Sequence, residues 1–343
     1  MKALVTAELD QNFLPRLAQL CELTIAGWGK EQRKLREEEL IDLMQGREIL
    51  ITSYDEITRE VIKKSKDLKL IICTRSNPVN IDIAAADSRK IPVVYTPGRN
   101  DDCVSEFTLA LIMNVARKIP MAYQSLKAGK FLAADKVSTE TKQGLQEDIT
   151  WALNKESPYV VFKGVQLKNK ILGLIGYGTI GRKVAHLARA FGMQIYVYDP
   201  YVPETEIEAD FREKVSLAKL LQEADFISCH CKVTPETRGM MGAKEFKMMK
   251  KTSYFINTSR GAIVNEAALI QALKTQEIAG AALDVYASEP LHKKHPFIAE
   301  LENVVITPHL GGASHEVITN HTLMTIDELQ RFLKGENLQY RYN

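Results

Sequence analysis

The first hundred residues alternate short apolar runs with polar or helix-patterned stretches. Segments 2–6, 23–26, 48–52, 68–74 and 91–95 read as strands, and those near 13–20, 35–44, 58–64 and 81–86 as helices between them. Strands spaced by helices of that length pair in parallel through right-handed crossovers, which predicts a small doubly wound α/β domain. Pro92 opens its strand, where a missing N–H is tolerated. An all-round apolar helix is expected from Cys103 to about Lys118, capped by Asp101 or Asp102, ended by Pro120 and buried between domains. From 127 to 163 the chain turns polar and irregular, with Gly129, Gly144 and Pro158, and reads as an extended connection or arm. A second alternating series follows, with strands at 171–175, 194–198, 226–231, 253–257, 279–283 and 304–307. A closing helix at 314–333 comes after that series and is free to pack back on the first domain. No repeat is present.

Composition narrows the classes without naming an activity. At roughly 150 residues per domain, a chain of 343 residues has room for two domains. Lys and Arg number 45 against 43 Asp and Glu, a net charge of +2, which argues against a nucleic-acid partner held by phosphate neutralisation. The five cysteines are those of a reducing compartment. Cys229 and Cys231 lack the second ligand pair of a zinc site, so they read as buried thiols and no metal is expected. Glu8 interrupts the N-terminus too early for a signal peptide, and no run approaches the ~18 apolar residues of a membrane span. A cytoplasmic protein with no membrane partner is expected.

Gly176-Tyr177-Gly178-Thr179-Ile180-Gly181 follows one strand and opens a helix, and Asp199 closes the next strand eighteen residues later. Such a turn, in that context, is the dinucleotide-binding fingerprint. Gly176 allows the tight turn, Gly178 lets the main chain approach a pyrophosphate, and Gly181 lets the helix pack on the strand. The helix start offers N–H groups and partial positive charge to the anion. Asp199 would accept from ribose hydroxyls and repel a 2′-phosphate, favouring NAD over NADP.

Three more residues fall in loops that leave strands, where open α/β sheets place ligands. Arg260 follows Asn257-Thr258-Ser259, Glu289 follows Asp284-Val285-Tyr286, and His309 follows Thr307-Pro308. Hydride transfer from a hydroxy acid needs a base, a cation for the carboxylate and a positioned cofactor. His titrates near neutrality, a carboxylate partner orients its ring, and Arg offers a planar fork.

With these motifs the chain resembles the D-isomer-specific 2-hydroxyacid dehydrogenase family, including its phosphoglycerate dehydrogenase-like members. The resemblance rests on Gly176 to Gly181 with Asp199, on Thr258-Ser259-Arg260-Gly261, on Asp284-Val285 with Glu289-Pro290, and on Thr307-Pro308-His309-Leu310-Gly311-Gly312. It implies an NAD-dependent oxidoreductase acting on a small 2-hydroxy or 2-keto acid. His309 would be the acid/base, Glu289 its partner, and Arg260 the group holding the carboxylate and carbonyl oxygen. Asp284 would take the nicotinamide carboxamide. Cys231, Lys232, Val233, Thr237, Thr258, Ser259, Arg260, His309 and Gly311 would complete the cofactor's surroundings, and Asn100 would face the substrate. The implied fold is a Rossmann NAD-binding domain, 103–312, inserted in a flavodoxin-like substrate domain of 1–102 and 313–343. The substrate would lie in the cleft between them, and the family's usual homodimer forms through the NAD-binding domain.

Two stretches depart from the pattern. Where the family has a short, often Gly-rich loop ahead of Asn80-Ile81-Asp82, this chain has Arg75, Ser76, Asn77 and Pro78. Arg75 is either a surface cation or a contact to a phosphate or hydroxylated tail, which would suit a sugar acid or a phosphorylated acid such as 3-phosphoglycerate. The 127–163 connection is long for the family and reads equally as a dimer arm or a solvated insertion. The chain stops soon after the closing helix, so no added regulatory domain is expected. The alternative to an enzyme is an NADH-sensing, corepressor-like protein on the same fold.

Overall fold

The computed structural model describes residues 1–132, 155–209 and 212–343. It divides into two compact units, 1–103 with 312–343, and 104–311.

In the first unit the strands are β1 (Lys2–Val5), β2 (Glu22–Ile25), β3 (Ile49–Thr52), β4 (Leu70–Cys73) and β5 (Val93–Val94). They form a parallel sheet in the order β2-β1-β3-β4-β5. Side chains alternate across a strand, and here both faces are covered. Leu4, Leu50, Ile71 and Val93 meet Leu40, Met44, Val61 and Ala85 on one side. Val5, Ile49, Ile51 and Ile72 meet Leu17, Ile326 and Leu329 on the other. The last two belong to the closing helix His315–Lys334, capped by Ser314, whose Oγ accepts from Glu316 N at 3.2 Å. That helix therefore completes the first unit from the far end of the chain.

The second unit holds β6 (Ile171–Ile175), β7 (Gln194–Tyr198), β8 (Glu213–Lys214), β9 (Phe226–Cys229), β10 (Tyr254–Asn257), β11 (Gly280–Leu283) and β12 (Val304–Ile306). The parallel order is β12-β11-β10-β9-β6-β7-β8. The chain reverses direction between β6 and β9, which places the glycine loop after β6 at the switch point of a Rossmann sheet. Near-continuous apolar strands fit a parallel sheet buried on both faces.

Several local expectations need correction. The helix near 103–118 runs Asp101–Arg117, so both aspartates sit inside its first turn, where the helix dipole favours acids, and neither caps it. Its Leu109, Ile112, Val115 and Ala116 pack into the second unit's core. Pro120 does not end the helical run. Lys118 adopts the left-handed conformation (φ 52°), and Pro120 then occupies the first turn of a new helix, Ile119–Lys127, where a missing N–H is harmless. A one-turn helix, Pro158–Val161, falls within the expected connection, of which 133–154 lies outside the described residues. Cys229 ends its strand and Cys231 lies beyond it. The edge strand β8 and the turn of helix Trp28–Glu31 are too short to show as periodicity. Among the described residues no helix is long and apolar enough to cross a membrane, and no cluster of side chains is suited to a metal ion.

Candidate active site

The loop after β6 is shaped by what its glycines allow. Gly176 has φ 96°, and a Cβ there would lie 2.7 Å from the main chain of His230 and Cys231. A Cβ on Gly181 would lie 2.5 Å from the Gly176 carbonyl, so helix Thr179–Ala190 can approach its strand only with glycine. A Cβ on Gly178 would point into space with no neighbouring segment within 4 Å, and the helix has no side-chain cap. Its first-turn N–H groups are thus left facing open space, the arrangement that receives a phosphate.

Asp199, at the end of β7, does more than wait for a ribose. One oxygen accepts from Tyr177 N at 2.8 Å, and the other from Tyr201 N at 2.9 Å and Val202 N at 3.2 Å. A carboxylate has roughly four lone-pair sites, so about one remains for a hydroxyl. Tyr177 turns its side chain fully into the core, under Arg182 at 4.5 Å, and offers a ligand only its main chain. Thr237 is likewise occupied locally. Its Oγ1 donates to the Lys232 carbonyl at 2.6 Å and accepts from Thr234 N at 2.8 Å, folding the loop that carries Cys231, Lys232 and Val233. Burial pushes the Cys231 thiol up to about 11, so it is protonated at neutral pH.

The Arg260 loop is held from below by buried Asn257. Its Oδ1 accepts from Ser259 N (3.0 Å) and Ser259 Oγ (2.8 Å), and its Nδ2 donates to the Arg260 carbonyl (3.0 Å). Thr258 Oγ1 pairs with Thr108 Oγ1 at 2.8 Å. Arg260 is exposed and donates from Nη1 to the Ser259 carbonyl at 2.6 Å. A Cβ on Gly261 would lie 1.9 Å from the Tyr286 carbonyl, so this loop and the one carrying Glu289 fit together only through glycine.

Asp284 is buried and fixes the histidine loop. It accepts from Thr307 Oγ1 (2.6 Å), Leu310 N (2.7 Å) and Gly311 N (2.7 Å). The Tyr286 hydroxyl lies 2.8 Å from the Thr307 carbonyl and accepts from Thr307 N at 3.1 Å, while burial holds its pKa above the usual phenol value. His309 stands on this frame with φ 59°. Its Nδ1 lies 2.6 Å from Glu289 Oε2, and Glu289 Oε1 accepts from Tyr286 N at 3.1 Å. The carboxylate can only accept, so Nδ1 carries a proton and Nε2 is the free end of the ring.

The decisive comparison concerns this same unit. Residues 109–311 match the model of the D-isomer specific 2-hydroxyacid dehydrogenase NAD-binding domain. This chain belongs to that family. It is 35% identical to glyoxylate reductase of Thermococcus litoralis, over 98% of this chain and 94% of that one. It is 34% identical to D-3-phosphoglycerate dehydrogenase of Methanocaldococcus jannaschii, over 98% of this chain but only 58% of that protein. The structure of D-lactate dehydrogenase from Escherichia coli aligns over the full length of both chains with a TM-score of 0.78 and 26% identity. The chain is therefore an NAD-dependent 2-hydroxyacid dehydrogenase. The open cradle at Gly178 fits NAD, whose pyrophosphate the first-turn N–H groups would receive and whose ribose Asp199 would meet.

In this dehydrogenase the first unit brings Ser76 and Asn100 together (Oγ to Oδ1, 3.4 Å) and leaves Ser76 and Asn77 exposed. Arg75 lies over the Tyr54 ring at 5.6 Å. Sequence reading missed Asn257, Thr307, Tyr286 and Thr108, whose side chains bond the loops that carry Thr258, Arg260 and His309. A polar residue closing an apolar strand, as in Phe255-Ile256-Asn257, was the available signal. It also missed His230, half-buried beside the glycine loop with Nε2 at 2.9 Å from Ser228 Oγ and its pKa driven down to about 4 by loss of solvent around the ring.

Proposed function

We propose that His309 is the proton carrier of this dehydrogenase, with Glu289 orienting its ring and Arg260 holding the substrate's carboxylate and C2 oxygen. The 2.6 Å contact between His309 and Glu289 carries this reading, because it engages Nδ1 and leaves Nε2 as the ring atom open to a substrate hydroxyl. In oxidation, the hydroxyl proton passes to His309 Nε2 as the C2 hydrogen leaves with its electron pair, and the oxygen becomes a carbonyl. NAD, when bound, supplies the nicotinamide that accepts that pair. Glu289 then faces an imidazolium, and its charge favours this state. Arg260 matches the planar carboxylate with its fork. Reduction runs the same steps backwards, with His309 donating.

The substrate in this reading is a D-2-hydroxy acid or its keto acid, of the sugar-acid or phosphorylated kind. The presence of Arg75, Ser76 and Asn77 where small residues would serve supports a polar tail. A homodimer through the 104–311 unit is supported by Ile119, Tyr123 and Leu126, which share one face of a single helix and are each about half exposed. Five free cysteines support a reducing, cytoplasmic setting.

Loss of NADH absorbance with a panel of 2-keto acids tests the reading. Turnover of at least one phosphorylated or hydroxylated member, faster than lactate's keto acid, is expected. Tight NADH binding without turnover of any member would overturn it.

A further inference from the structure

The first unit has a pocket of its own, of about 320 Å3, lined by Glu8, Ser53, Tyr54, Arg99, Ser314 and His315 among others. Glu8 follows β1 and Ser53 follows β3. In the order β2-β1-β3-β4-β5 these are the neighbours from which the chain departs in opposite directions. Open α/β sheets bind ligands outside the carboxyl ends of the strands at such a point.

The pocket contains a prepared cation. Arg99 Nη1 lies 2.9 Å from Nδ1 of His321, and His321 Nε2 lies 2.8 Å from the Glu8 carbonyl oxygen. A carbonyl only accepts, so Nε2 carries the proton and Nδ1 receives the one from Arg99. The ring is therefore neutral, and it aligns the guanidinium without cancelling its charge. Asn320 Nδ2 donates to the Arg99 carbonyl at 3.0 Å and fixes the main chain as well. Arg99 Nε is buried without a hydrogen-bond partner. A structural arginine at this depth is normally paired with a carboxylate; this one is held by a base with no charge. The Arg75 guanidinium over the Tyr54 ring adds a second positive group, against the single exposed carboxylate of Glu8.

We propose that this pocket is an anion site in which Arg99, aligned by His321, receives a carboxylate or phosphate, carried at the far end of the substrate or arriving as a free ion. The proposal rests on the functional reading above for its first source and not for its second. Asn100, next in the chain, touches Ser76, so the pocket and the 75–77 loop belong to one surface of the first unit. Burial lowers the Arg99 pKa from its usual value, the direction expected of a cation short of a counter-charge.

Two measurements on the full chain with bound NADH decide the matter. The first is kcat/KM for phosphohydroxypyruvate relative to glyoxylate, in the unsubstituted protein and in Arg99→Met. A fall of that ratio by tenfold or more assigns the site to the substrate's far end. The second is the rise in melting temperature caused by inorganic phosphate. Protection that disappears in Arg99→Met, with the ratio unmoved, assigns it to a free anion. If neither quantity depends on Arg99, the pocket is not an anion site. If no keto acid is turned over at all, the functional reading fails and the phosphate arm still judges the pocket. Arg99→Lys guards against misfolding of the first variant. It keeps the charge but loses the fork, and a threefold to tenfold fall in the ratio, or in the phosphate affinity, is expected, whereas full retention of both counts against the site.

Discussion

The two units position their charged groups by different means. In the 104–311 unit, Asp284, Asn257 and Glu289 each bond the loop beside them, tying strand ends that are neighbours in the sheet. In the other unit, Arg99 depends on His321, which is 222 residues away, and through it on Glu8. The first device works over short loops and is built from carboxylates and amides that accept main-chain N–H groups. The second depends on the closing helix returning to the first sheet. The first device thus rests on local spacing, whereas the second draws on contacts made by the chain's two ends.

The largest effect should come from removing the proton carrier. His309→Gln is expected to lower kcat by roughly 10²–10⁴-fold, the range of general acid–base catalysis, while the dissociation constant of NADH, measured by fluorescence titration, changes little. The Asp284 bonds to Leu310 and Gly311 do not involve the imidazole, so the loop should keep its shape. A loss below tenfold would remove His309 from the role and leave the two units without a clear division of labour.

That division also explains what could be read without coordinates. The glycine loop, Arg260, Glu289 and His309 are legible because each belongs to a short motif whose spacing is imposed by one strand-to-helix turn. Asp199 is only half legible: its place was evident, but its three main-chain bonds depend on how the chain turns after β7. Both α/β units and the return of the closing helix follow from periodicity and order. The two-step helix around Lys118 does not, since Pro can begin a helix as well as end one. Arg99 gave no signal at all, because nothing in Pro97-Gly98-Arg99-Asn100 points to a histidine on the last helix.

Acid should separate the two devices next. Burial and Arg99 hold the His321 pKa down to about 4, against an ordinary 6.5. A buried neutral imidazole is protonated more readily in the unfolded chain. Its contribution to stability is therefore complete above about pH 6.5, declines as pH falls, and is exhausted below about 4. Between pH 7.5 and 5.0 the loss is roughly 2 kcal/mol, at about 1.4 kcal/mol per unit over the titrating range. Urea unfolding followed by Trp28 fluorescence, in a Trp151→Phe background, reports on the first unit. His321→Gln can still donate to Glu8 and accept from Arg99, so it should flatten most of that pH dependence. An unchanged slope would show that His321 is not the neutral ligand of Arg99. His230 carries a matching depression in the other unit and gives the internal comparison.

The smallest expected effect belongs to Arg75, and it bears on whether the first unit's second cation works with the first. Arg75 lies over Tyr54 at a partly exposed position, where a cation–π contact contributes about 0.5–1 kcal/mol. Its replacement should therefore leave the fold intact and act mainly through charge. Arg75→Ala is expected to raise KM for the best phosphorylated or hydroxylated keto acid by roughly threefold to fivefold, since about 0.7–1 kcal/mol of screened attraction corresponds to that ratio. KM for glyoxylate, which has no tail, should rise less, and added salt should shrink the difference because exposed charges are screened. An unchanged KM for the polar substrate would make Arg75 a surface cation and leave recognition of the tail to Arg99.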